Sequence, residues 1–141
     1  MIQTVGKLIY DPYRKDLRKT HKARTLIAEL PRDQLDLYYQ WFLTKKYGTW
    51  MTLQRPMYGL HVTIVKGDEK VPQDRLHLWK KYQGQPIELM YDPTKLQCNW
   101  KFWSLEVKSD KILEIREELG LKGLYRPHIT IGRAYDWMPN A

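Results

Sequence analysis

Two histidines stand in one recurring local pattern. The tripeptide His-x-Thr occurs as His61-Val62-Thr63 and again as His128-Ile129-Thr130. The segment from Arg55 to Lys66 lies over the segment from Lys122 to Arg133 without a gap, with Tyr, His, Thr and Ile identical. A cation closes each end of both segments, and Met57/Leu124 and Val62/Ile129 are matched apolar pairs. An imidazole exchanges protons near neutral pH, and a threonine hydroxyl can donate a hydrogen bond to a non-bridging phosphate oxygen. One histidine serves half of an acid–base reaction. Two copies of one histidine segment describe a pseudo-twofold site, in which one imidazole takes a proton while the other gives one.

These residues need strands to present them. Leu60–Val65 and Pro127–Ile131 are rich in β-branched residues and alternate in polarity. Side chains at i and i+2 share a face, so His61 and Thr63 point the same way, roughly 7 Å apart along the strand. His128 and Thr130 do likewise, while Leu60, Val62, Ile64, Ile129 and Ile131 turn toward a core. Tyr58 and Tyr125 each precede a motif histidine by three residues and are candidates for the rim of the cleft; strict alternation turns them to the side opposite the histidines, which a turn at Gly59 or Pro127 would change. Lys66 and Arg133 each follow one by five. In unbroken strands parity turns these two cations away from the histidines; their symmetric placement keeps them as candidate phosphate contacts.

Paired His-x-Thr strands resemble the signature of the two-histidine phosphoesterase superfamily. Arg126-Pro-His-Ile-Thr-Ile-Gly-Arg133 is similar to the second motif of its RNA 2′,3′-cyclic phosphodiesterase branch. The resemblance rests on the two motifs, their order and their separation; most of the remaining chain carries no matching motif. The first motif departs from that branch, because Lys66-Gly-Asp-Glu69 follows the strand where an aromatic-leaning stretch is usual. The resemblance implies a bilobal α/β fold, with two pseudo-symmetric lobes each giving one motif strand to a central groove. It also implies metal-independent cleavage of phosphodiesters with a ribose 2′-oxygen at hand. His61 and His128 match the catalytic histidines, and Thr63 and Thr130 the phosphate-binding threonines.

The rest of the chain can be read as the support for such strands. Val5–Tyr10 and Thr25–Leu30 read as strands. A helix follows from Pro31-Arg-Asp33 to Gly48 with Leu35, Tyr38, Tyr39, Phe42 and Leu43 on one face. Pro72 opens a shorter helix using Leu76, Trp79 and Tyr82, ending near Gly84. Pro86–Tyr91 and Trp100–Val107 read as strands parted by a turn at Asp92-Pro93. Ser109 is suited to cap a helix carrying Ile112, Ile115 and Leu119, with Gly120 beyond its end. No linker or low-complexity stretch divides the 141 residues, so one domain is expected.

Composition narrows the ligand. The net charge is +8, which favours polyanions. The excess gathers at Arg14, Lys15, Arg18, Lys19, Lys22 and Arg24, with only Asp16 between them; Arg14, Lys15, Arg18 and Lys19 are candidate phosphate contacts, or a solvated face. Six Trp, ten Tyr and two Phe offer rings for stacking on bases, though most are expected in the core. No apolar run reaches membrane-spanning length, and the N-terminus lacks the plan of a signal peptide. A single cysteine, Cys98, excludes an internal disulfide, so a reducing, cytoplasmic location is expected. No cofactor or metal is expected, because the motif partner of each histidine is threonine, a poor metal ligand. No Gly-rich phosphate loop or nucleophile elbow is present.

Three partners fit these residues. The first is a cyclic oligonucleotide second messenger, since a short two-histidine enzyme resembles the phage nucleases that destroy such messengers in evading CBASS immunity. The second is an RNA 2′,3′-cyclic phosphate end. The third involves no reaction: a basic nucleic-acid-binding module with a vestigial groove. No membrane and no obligate protein partner is inferred.

Overall fold

A computed structural model describes residues 2–12, 24–31, 53–54, 60–99, 102–121 and 125–134. Strand β1 is Ile2–Tyr10, β2 Leu26–Glu29, β3 Leu53–Gln54, β4 His61–Val65, β5 Pro86–Asn99, β6 Phe102–Lys108 and β7 His128–Ala134. Among the described residues one α-helix, α1, covers Asp110–Glu118, and a short 3₁₀ helix covers Gln73–Leu78. These residues are thus mixed α/β and mostly strand. The helix expected between Pro31 and Gly48 lies outside the described residues. No helix among them is long and apolar enough to cross a membrane.

The sheet runs β3-β7-β4-β2-β1-β5-β6, and β6 pairs again with β7. All strands but β3 therefore close into an antiparallel barrel. The order hides a repetition. In the first half β2 lies between β1 and β4; in the second, β6 lies between β5 and β7. The halves join where β1 meets β5 and where β4 meets β7.

The repetition extends to individual residues. Between β2 and β4, Leu26 faces Val65 and Ile27 faces Thr63, so Ile64 is skipped. Between β6 and β7, Trp103 faces Gly132 and Ser104 faces Thr130, so Ile131 is skipped. Ile64 and Ile131 hold the same place in the two motif segments. A bulge strengthens local twist and re-aims the strand, and here it does so just after each motif threonine.

The core lies on one face of these strands. Val62, Ile64, Ile129 and Leu105 are fully buried, together with Ile112, Ile115 and Leu119 of α1. That stripe on α1 follows the i, i+3/i+4 spacing of an amphipathic helix. Ser109 caps the helix, its hydroxyl accepting from the Ile112 N–H at 3.4 Å and donating to the Glu88 carbonyl at 3.1 Å. Gly120 takes φ +71°, a backbone conformation that favours glycine, and a Cβ there would sit a tight 3.2 Å from Pro72 Cγ.

Two elements differ from the sequence reading. The segment after Pro72 forms only the 3₁₀ turn; Trp79 is already extended, and no side chain caps the start. The turn expected at Asp92-Pro93 is absent, because β5 runs on to Asn99 with a register shift between Tyr91 and Leu96. Proline lacks an N–H and is tolerated at a bulge. There the Asp92 carboxylate accepts from the Thr94 N–H at 2.9 Å and from its hydroxyl at 2.6 Å, standing in for ladder bonds.

Candidate active site

Val62 of β4 and Ile129 of β7 face each other across the antiparallel junction of the two halves. Both are fully buried. Their sequence neighbours point to the opposite face, and His61, Thr63, His128 and Thr130 are all half-buried there. Continued antiparallel register sets His61 beside Thr130 and Thr63 beside His128. The histidines then occupy one diagonal, with backbones about 7–8 Å apart. The structure thus brings the four motif residues together around a local twofold axis between Val62 and Ile129. From this diagonal, two imidazoles can approach one phosphodiester from opposite sides, with a hydroxyl beside each.

The backbone orients the His128 ring and selects its tautomer. Its Nδ1 lies 3.2 Å from the Arg126 carbonyl oxygen. A carbonyl only accepts, so this bond puts the proton on Nδ1 and leaves Nε2 for exchange with a ligand.

Register reveals two acidic residues that sequence reasoning missed. Glu29 is the direct partner of His61 on β2, and Glu106 is the direct partner of His128 on β6. Direct cross-strand partners share a face, and both carboxylates are exposed. Leu26-Ile27-Ala28-Glu29 and Trp103-Ser104-Leu105-Glu106 have only the glutamate in common, so no sequence match announces the pair.

Around His128 a pocket of ≈ 420 Å³ opens. Arg126, Pro127, His128 and Thr130 line one side of it, Ser104 and Glu106 of β6 the floor, and Gln97 of β5 the far edge. Gln97, Ser104 and Thr130 are successive cross-strand partners, which makes one polar row. Its counterpart in the first half is Ile9, Ile27 and Thr63.

The other expected contacts fall elsewhere. Tyr125 is not brought to the histidine face. It packs against the core cluster, its ring 4.1 Å from the Arg116 guanidinium, and burial pushes its phenol up to about 12. The side chain of Lys66 is exposed beyond the end of β4; its backbone N–H donates to Glu69 Oε1 at 3.0 Å. Arg133 pairs through its backbone with Gln54 and Phe102, and its side chain is outside the described residues. So are Tyr58, Arg14, Lys15, Arg18 and Lys19.

Behind the site, α1 ties the motif strands together. Arg116 is 6% exposed. It donates to the Ile64 carbonyl at 2.7 Å and to both oxygens of Glu69, at 2.9 and 2.6 Å. This fork holds the Glu69 carboxyl below the usual carboxylate range. One guanidinium therefore fixes the end of the first motif strand and stacks on the approach to the second. The sequence signal was an arginine inside the apolar stripe of Ile112, Ile115 and Leu119.

Among the described residues no three His, Cys, Asp or Glu side chains converge as a metal-ligand set. No protein-family model matches the chain, and no curated protein or solved structure is significantly similar to it.

Proposed function

We propose that the chain is a phosphodiesterase that cleaves ribonucleotide phosphodiesters by two-histidine acid–base catalysis, with cyclic oligonucleotide second messengers as its substrates. The observation that carries this reading is the pairing of Val62 with Ile129, which gathers both copies of His-x-Thr on one face. The two-lobed arrangement is supported by the matching strand orders, β1-β2-β4 and β5-β6-β7, and by the matching bulges. A substrate of this kind implies a cytoplasmic enzyme.

The chemistry uses the chain's own groups. One neutral imidazole removes the proton of a ribose 2′-hydroxyl as that oxygen attacks phosphorus. The other, protonated, gives its proton to the departing 5′-oxygen. Thr63 and Thr130 donate to the non-bridging oxygens as charge gathers there. A 2′,3′-cyclic phosphate results, and the two histidines have exchanged protonation states. Water then opens the ring with the roles reversed, which restores the starting state. The 2′-hydroxyl is already beside phosphorus, and that proximity can offset several kcal/mol of barrier.

The second reading, opening of a preformed RNA 2′,3′-cyclic end, is favoured by the pocket at His128, whose size suits a single nucleoside. A product assay separates the two. Ribose cyclic dinucleotides should pass through a 2′,3′-cyclic intermediate, and their 2′-deoxy analogues should be inert. Turnover of preformed cyclic ends alone would select the second reading, and efficient hydrolysis of a cyclic deoxydinucleotide would contradict both.

A further inference from the structure

The twofold relation between the halves is kept at the histidines, threonines and glutamates and broken beside them. In the first half the row next to Thr63 is Ile27 and Ile9, and Ile27 is 1% exposed. In the second half the row next to Thr130 is Ser104 and Gln97. The glutamates differ as well. Glu29 stands between His61 and Lys7 in its row, with a cation on each side when the histidine is charged. Glu106 faces His128 on one side and the open pocket on the other. Among the described residues no salt bridge engages Glu106.

A lone carboxylate beside a phosphate site repels the substrate's charge. That cost is offset when the substrate brings hydrogen-bond donors, since an ionised carboxylate can only accept. Next to Glu106 stand Gln97, whose amide both donates and accepts, and the Ser104 hydroxyl. Guanine presents two adjacent N–H donors, at N1 and N2, followed by the O6 acceptor. Adenine, cytosine and uracil offer no such pair of neighbouring N–H donors. The pocket volume of ≈ 420 Å³ falls in the range of small-ligand sites.

We propose that Gln97, Ser104 and Glu106 form a guanine-reading subsite on the His128 side of the groove. Glu106 takes the N1–H and N2–H donors, and Gln97 donates to O6. The subsite rests on the two-histidine reading for its phosphate position, next to His128 and Thr130. It also gives the pseudo-symmetric groove a direction, because the read nucleoside always sits on one side of the phosphate.

Isothermal titration of the 3′-monophosphates of guanosine, adenosine, cytidine and uridine tests the subsite without requiring turnover. Wild-type protein should bind the guanosine nucleotide at least tenfold more tightly than the other three. Glu106→Gln should weaken guanosine binding by tenfold or more while adenosine binding stays level or tightens, because a like charge beside the phosphate is removed. A purely electrostatic Glu106 would instead tighten all four. Equal affinities in the wild type, no binding of any of the four, or a guanosine preference that survives both Glu106→Gln and Gln97→Ala would overturn the subsite. Turnover of phosphodiesters by wild type and His128→Ala, followed in parallel, reports separately on the catalytic reading. Activity without base preference removes the subsite alone, and preference without histidine-dependent activity removes the catalytic reading alone.

Discussion

Tyr125 carries a buried hydroxyl that finds no hydrogen-bond partner among the described residues. An unpaired buried hydroxyl costs about 1–3 kcal/mol of desolvation, so Tyr125→Phe should stabilise the protein by about 1 kcal/mol, or a Tm rise of roughly 3 °C. Thermal unfolding measures the gain, and kcat/KM should stay within about twofold because the ring lies under Arg116, away from the histidines. A tenfold fall in kcat/KM with unchanged Tm would return Tyr125 to the site. The same residue shows what was legible at this scale. Alternation along a strand fixed the facing of His61, Thr63, His128 and Thr130 from sequence, and it also turned Tyr125 away. It could not supply Glu29 or Glu106, because a cross-strand partner depends on register, and nothing in the separate segments of β2 and β6 encodes which residue meets the histidine.

At the scale of elements, α1 was readable from its cap, its stripe and Gly120, and the motif strands from their β-branched alternation. The turn at Asp92-Pro93 was misjudged because an Asp-Pro pair serves a bulge as readily as a turn, the Asp92 carboxylate bonding Thr94 in either setting. Arg116 belongs to this scale, since it joins α1 to β4 and to the segment before β7. Arg116→Ala removes the guanidinium from the Ile64 carbonyl and leaves the Glu69 carboxylate, among the described residues, with only the Lys66 N–H, and breaking a buried pair from one side costs about 3 kcal/mol; urea unfolding should show this loss. The pH dependence follows from the lowered Glu69 carboxyl. Its stabilisation is complete above the unfolded value of about 4.3 and is lost as pH falls through the lower folded value. That acid-side slope should diminish in Arg116→Ala. Parallel stability–pH curves for variant and wild type would show that the pair contributes nothing to folding.

For the molecule as a whole, the closed barrel with repeated halves explains why one chain carries a motif twice and why both copies meet. The repeat could be read at the motif strands, where Tyr, His, Thr and Ile recur at the same spacing. Elsewhere it was illegible, because Leu8-Ile9-Tyr10 and Leu96-Gln97-Cys98 occupy equivalent ladder positions and share little chemistry. Their divergence leaves the His-Thr rows alike in the two halves, while the polar Gln97-Ser104 row has apolar Ile9-Ile27 as its counterpart. The central claim is that the two halves act as one acid–base unit. Single-turnover rates of His61→Ala, His128→Ala and the double variant on a ribose cyclic dinucleotide test it most directly, with circular dichroism confirming the fold. Each single variant should lose on the order of 10²–10⁴-fold, and the double variant should fall little further, because residues that act as a unit are not additive. A folded single variant that keeps its rate within tenfold of wild type would contradict the account.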